Sequence, residues 1–303
     1  MSDAKPDPFR GVVPPVLTPF KEDKSVDEPA LAAVVDWLCH RPIGGLFMTG
    51  ALGEWRYLEW ADRERVMRVA VEAADGRLPV VPHIGGCNDV EQIIKLGKTA
   101  AEVGVYAVAL TIPEDIPEGP EPIYQHIAAV ARAIELPLAL YDTKGRGPRS
   151  VTPDLMRRML NDGIRIVTMK YRAMQGDDML AMVEAAGDGV NVLAGAETVF
   201  LPALAVGAVG VIGGGCNIYP GLIAGIQRDY QAGRHAEAIE GQRKVNHLLE
   251  TSSRVSWPLA GKVIWAAWGL PVQPVTRTPC DRSSPEAIRE VQDIFGPMID
   301  IAG

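Results

Sequence analysis

Ile164-Arg165-Ile166-Val167-Thr168-Met169-Lys170 is a short apolar run, rich in β-branched residues, that closes on a cation. Similar runs recur along the chain at Val12 to Leu17, Ile43 to Met48, Val80 to Ile84, Val105 to Leu110, Leu138 to Tyr141, Val190 to Leu193 and Val209 to Ile212. They are continuous rather than alternating, the pattern of parallel strands covered on both faces. The segments between them carry a helical period, as in Val66, Val69, Ala70, Ala73 and Ala74, and again in Ile93, Leu96, Ala100 and Val103. Asp27 before Glu28-Pro29 and Thr152 before Pro153-Asp154 read as N-caps with proline in the first turn. About eight strand-then-helix units in roughly 200 residues are the arithmetic of an α/β fold of the (β/α)8 TIM barrel type. A doubly wound sheet has fewer strands and a glycine-rich turn after the first, whereas Thr18-Pro19-Phe20-Lys21 stands there in this chain. After Gly215 the strand signal stops, and helices are predicted over Pro220 to Ala232, His235 to Ser252, Trp257 to Trp268 and Ser284 to Met298. The expected organisation is therefore a barrel over 1–215 with a C-terminal helical extension over 216–303 packed on it.

Composition narrows the function classes. The 30 Lys and Arg against 38 Asp and Glu give a formal charge of −8, which speaks against nucleic acid or an anionic membrane as partner. Cys39, Cys87, Cys216 and Cys280 lie far apart with no zinc-ligand spacing, so free thiols in a reducing compartment are expected. The first residues lack the apolar stretch of a signal peptide and no long apolar span follows, so a cytoplasmic location is expected. The 31 Gly and 24 Pro exceed the roughly 12% joint share of average usage. Much of the excess falls at strand-to-helix joints, where a barrel needs tight connections.

In a barrel the chemistry sits at the C-terminal strand ends. Lys170 would close strand six among apolar neighbours, where desolvation favours the neutral amine. Such an amine attacks a ketone or aldehyde to form a Schiff base, while the plain alternative is a lysine snorkelling at a strand end. Tyr141, one strand earlier, is a proton-transfer candidate at the same level or else a core tyrosine. His83 ends strand three without a second histidine or a paired carboxylate, so no metal site is supported. Gly213-Gly214-Gly215 would either hold phosphate through backbone amides or let the chain pass close to the lysine. Trp55, next to the Gly50–Glu54 loop, would face substrate or simply pack, and Glu54 would brace its loop.

Together these positions resemble the dihydrodipicolinate synthase / N-acetylneuraminate lyase family of class I Schiff-base aldolases. The resemblance rests on Pro15-Val16-Leu17-Thr18-Pro19-Phe20, on the Gly-x-x-Gly-Glu loop from Gly50 to Glu54, on Tyr141, on Lys170 and on Gly210-Val211-Ile212. It implies a lyase, an aldolase or hydro-lyase, that needs no metal or cofactor and acts on a 2-oxo acid such as pyruvate or a pyruvate aldol adduct. Lys170 would form the Schiff base and Tyr141 would move protons. Ala51, Leu52 and Gly53 would seat the substrate carboxylate, with Ile212 beside it. Arg146 would bind a second carboxylate, or else belong with Lys144 and Arg149 to a solvated basic loop. A homo-oligomer, dimer or tetramer, is implied as well.

Two departures shape the expected function. The family loop carries hydroxyls where this chain has Ala51 and Leu52, so a hydroxyl relay to Tyr141 is broken and only backbone N–H groups remain for the carboxylate. The tyrosine that a neighbouring subunit lends from the loop after strand four is replaced here by Ile112-Pro113-Glu114-Asp115. Both point away from true dihydrodipicolinate synthase activity. The rival reading is a catalytically reduced relative that binds an oxo or sugar acid as a regulator, and a third is a phosphosugar aldolase using Gly213 to Gly215.

Overall fold

The computed structural model describes residues 9–87, 89–142, 147–172, 176–280 and 283–303. Strands and helices alternate: β1 (Gly11–Val13), α1 (Glu28–Cys39), β2 (Leu46–Met48), α2 (Trp60–Ala74), β3 (Val80–Pro82), α3 (Val90–Val103), β4 (Val108–Thr111), α4 (Pro120–Ala133), β5 (Leu138–Asp142), α5 (Pro153–Asn161), β6 (Ile166–Tyr171), α6 (Gly176–Ala186), β7 (Asn191–Ala194), α7 (Phe200–Ala205) and β8 (Gly210–Ile212). Then follow α8 (Pro220–Gln231), α9 (His235–Ser252), α10 (Leu259–Ala267) and α11 (Pro285–Phe295). Every strand pair is parallel, in the orders β1-β8-β7-β6-β5-β4 and β2-β3. Single bridges, Pro15 to Phe47 and His83 to Ala109, join the two groups. The ring closes, which excludes the open doubly wound sheet.

Side chains alternate across this wall with the strand period of two. Val12, Leu46, Met48, Val80, Leu110, Leu140, Met169, Val192 and Val211 join the large cluster between strands and helices. Val13, Phe47, Val81, Ala109, Ala139, Tyr141, Leu193 and Ile212 form a second, interior cluster with Phe9. The interior is thus a packed core with no pore.

The expected N-caps are present: the Asp27 carboxylate accepts from the Ala30 N–H and the Thr152 hydroxyl from the Leu155 N–H. Strand bounds shift for physical reasons. β1 is three residues instead of the six from Val12 to Leu17, because Pro14 and Pro15 have no N–H to give to the ladder. β6 begins two residues later than expected and continues through Lys170 to Tyr171, which pairs with Asp142 and Ala194. Lys170 therefore lies one residue inside its strand, fixed on both sides. Replacing Ile223, which is fully buried on α8, by alanine should lower stability by about 2–5 kcal/mol, read from equilibrium denaturant unfolding.

Candidate active site

With Met169 facing the helices, strand alternation turns Lys170 toward the barrel axis. The registers set it between Tyr141 on β5 and Leu193 on β7. Its Nζ lies 4.2 Å from the Tyr141 ring centre and 5.7 Å from that of Phe47, and the residue is 7% exposed. Tyr141 meets Phe47 edge to face at 5.5 Å, so the amine sits over aromatic faces that suit a cation or an iminium. Above it opens a cavity of about 330 Å³ whose walls include Pro15, Ala51, Leu52, Arg172, Glu197 and Gly213. This is at the small end of ligand pockets, a size for a compact acid rather than a large cofactor.

The Gly50–Glu54 loop forms one wall, and its shape is set from three directions. Thr49, at the end of β2, has φ +49 and Glu54 has φ +61, both left-handed conformations unusual for residues with side chains. The Thr49 hydroxyl donates to the His83 carbonyl at 3.0 Å, and the Thr18 hydroxyl donates to the Gly53 carbonyl at 2.8 Å. Gly53 comes so near that a Cβ there would stand 3.0 Å from Thr49 Cα. Glu54 turns away from the cavity: its fully buried carboxylate meets Lys262 Nζ at 2.7 Å and accepts the N–H groups of Arg277 and Thr278 at 2.7 Å each. Glu54 is a brace, as expected. Among the described residues, no acceptor takes the N–H of Ala51 or Leu52, which leaves both amides for an anion.

Gly213 faces Glu197. A Cβ on Gly213 would lie 2.0 Å from Glu197 Oε2, so the glycine lets the chain pass a buried carboxyl group. The Gly215 N–H donates to Glu197 Oε1. An internal carboxylate thus holds the amide that a phosphate would need, and close approach, rather than phosphate binding, accounts for these glycines. Burial pushes the Glu197 carboxyl above its ordinary range, against backbone N–H donors and the charge of Lys170, which pull it down.

Trp55 packs over the end of β3, 5.2 Å from the His83 ring, with its indole where a Gly86 side chain would otherwise be. His83 is fully buried, with Nε2 2.9 Å from the Thr111 hydroxyl. Burial and the nearby charges of Arg63 and Lys170 lower its pKa to about 3. Ile212 lies in the interior layer with Tyr141, and Arg146 and Lys144 fall outside the described residues. Among the described residues no group of three or more His, Cys, Asp or Glu side chains could hold a metal ion.

Residues 8–296 match the model of the dihydrodipicolinate synthetase family. The chain belongs to this family. A 4-hydroxy-tetrahydrodipicolinate synthase of Thermomicrobium roseum is 34% identical over 221 residues, 73% of this chain and 72% of the relative. That of Thermus thermophilus is 28% identical over 296 residues, 95% and 97% of the two chains. The crystal structure of dihydrodipicolinate synthase from Aquifex aeolicus superposes with a TM-score of 0.87 at 25% identity, covering 97% of this chain and 99% of that one. The prophage family protein YagE of Escherichia coli, solved in complex with pyruvate, shares the fold with a TM-score of 0.87 at 22% identity, covering 97% of this chain and 99% of its own. The family is one of class I aldolase-type lyases, and this chain is an enzyme of that type. No helix among the described residues is long and apolar enough to cross a membrane.

Within this family frame, sequence reasoning passed over Glu197, Arg172 and Lys262. Glu197 stands three residues beyond β7, at the catalytic end of the barrel, where its place in the chain alone does not set it apart from a solvated helix start. Arg172 follows Lys170 by two and reaches the cavity mouth, while Lys262 shows only through a partner 208 positions away.

Lys262→Met should cost about 3–5 kcal/mol in denaturant unfolding by leaving the Glu54 carboxylate buried and unpaired, and adding Glu54→Gln should recover a large part of it. His83 supplies a pH prediction. Its folded pKa of about 3 lies below the ordinary 6.5, so the unfolded chain binds the extra proton first and stability falls as pH drops through that window, by roughly 1 kcal/mol per pH unit. The His83→Gln variant should show a correspondingly flatter loss between pH 6 and 4 when the two are unfolded side by side.

Proposed function

We propose that the protein is a Schiff-base lyase acting on a 2-oxo acid of the pyruvate type, with Lys170 as the amine and Tyr141 as the group that moves protons during its condensation. The observation that carries this reading is the Lys170 amine set against the Tyr141 ring at 4.2 Å within a closed wall, under a cavity for a small acid. Pyruvate bound to the fold relative YagE supports the substrate class.

The amine in its neutral form attacks C2 of the oxo acid, and the new C–N bond forms as the carbonyl π pair moves to oxygen. Tyr141 passes one proton from the new ammonium nitrogen to that oxygen and then gives its own proton to the resulting hydroxyl, water leaves, and the nitrogen lone pair completes the iminium. The substrate carboxylate is held by the N–H groups of Ala51 and Leu52, which form a small anion nest in place of hydroxyl side chains. The iminium then serves as an electron sink for bond breaking at the neighbouring carbon, in retro-aldol cleavage or in loss or addition of water. The apolar Ala51-Leu52 wall supports a reaction other than that of the true synthases. Arg172, charged and exposed at the mouth, supports a second anionic end on the substrate, the role expected of Arg146.

Borohydride added with pyruvate should fix a stable adduct on Lys170, seen as a mass increase on the peptide that carries it and absent in Lys170→Ala. Pyruvate binding that survives Lys170→Ala undiminished, with no adduct in the native protein, would select a regulatory binding protein instead.

A further inference from the structure

Glu197 is a buried acid that neither packing nor any cation within bonding distance explains. It is 4% exposed, yet it lines the same cavity as Lys170 and carries no ion pair among the described residues. The surrounding chain is shaped to it. Gly213 leaves room for the carboxyl group, and Gly215 gives it an N–H. Gln242 of α9 ties the same turn from outside, donating to the Glu197 carbonyl at 2.7 Å and accepting from the Leu201 N–H at 2.8 Å. The same cavity is bordered by Ala51 and Leu52, which offer Tyr141 no hydroxyl relay. Beside the lysine the cavity therefore offers two acid-base groups, Tyr141 without a hydroxyl relay and Glu197.

We propose that Glu197 is the acid-base residue that carries the C3 proton between iminium and enamine. The step rests on the Schiff-base reading given above. Carboxylate oxygen of Glu197 removes a proton from C3 of the iminium, the C3–H electron pair becomes the C2–C3 double bond, and the former C–N π pair returns to nitrogen. A cation and a carboxylate become a neutral enamine and a neutral carboxylic acid, so no net charge is added to a desolvated cavity in either direction. The permanent charge of the iminium favours the ionised acid just when a base is required. In the reverse sense the carboxylic acid protonates the enamine carbon. The titratable groups around Glu197 are Lys170 from β6, whose charge lowers its pKa, and Cys216 in the turn after β8 and Tyr219 ahead of α8, both held well above their ordinary range by burial and by the Glu197 charge.

Pyruvate alone in deuterium oxide tests this without knowledge of the second substrate, because enamine formation exchanges the methyl protons and proton NMR follows their loss. Glu197→Gln keeps an acceptor for the Gly215 N–H. It should retain borohydride trapping of pyruvate at Lys170 while exchange slows by a hundredfold or more, the usual scale of a lost general base. The native exchange rate should fall on the acid side of a titration that lies above the ordinary carboxylate range, and this limb should vanish in Glu197→Gln. Exchange and its pH profile left unchanged in a variant that still traps pyruvate would overturn the role of Glu197. If the native protein traps no pyruvate, the Schiff-base reading itself fails, and a Glu197→Gln variant that loses trapping together with its thermal stability marks a structural role.

Discussion

The ion pair between Glu54 and Lys262 is the constraint on which the site depends. Both side chains are fully buried, and a carboxylate or ammonium alone in such a place would cost several kcal/mol. Burial lowers the Lys262 pKa to about 8, while the charge and hydrogen bond of Glu54 hold it up. The pair persists because its remaining valences are filled: Lys262 also donates to the Val275 carbonyl at 2.7 Å, and Glu54 takes two backbone N–H groups. Lys262 lies 4.3 Å from the ring centre of Phe20, in the opening Pro-x-x-Thr-Pro-Phe stretch, whose Thr18 in turn holds Gly53. Three distant parts of the chain are thus tied to one loop.

That arrangement lets the Gly50–Glu54 loop keep its shape after losing its hydroxyl side chains. Ala51 and Leu52 contribute backbone rather than functional groups, and a backbone nest works only when the turn is rigid. The glutamate anchors the loop outside the cavity, so the inner face stays free for substrate. Glu197, which borders the same cavity, rests on the turn after β8, whose glycines admit it. Lys170 shares its cavity with a loop of amides and with an acid, a set of groups that suits condensation at one end of a 2-oxo acid and proton movement at the carbon beyond it.

Much of this was legible in the residues themselves. The continuous apolar runs marked the strands, and the period of two is what turns Lys170 and Tyr141 inward together. The bounds were less legible. Pro14 and Pro15 are apolar enough to extend a run but cannot donate to a ladder, and Tyr171 pairs because β5 and β7 flank it on both sides. Glu54 read as a brace from its place in the loop, yet its partners did not, since nothing near Lys262 in sequence marks it as buried. Glu197 escaped notice because a single acid past a strand looks like a solvated helix start until Gly213 is seen beneath it. Trp55 shows the reverse case: its neighbourhood suggested a substrate contact, and His83 and Gly86 claim it for packing.

The central claim is that Lys170 bonds to C2 of a 2-oxo acid whose carboxylate is seated by the amides of Ala51 and Leu52. A crystal structure of the protein soaked with pyruvate tests it most directly. Continuous density from Lys170 Nζ to C2 of the ligand, with the carboxylate oxygens within hydrogen-bond distance of those two N–H groups, is the expected result. Pyruvate bound apart from Lys170, or an adduct whose carboxylate turns away from the Gly50–Glu54 loop, would contradict it.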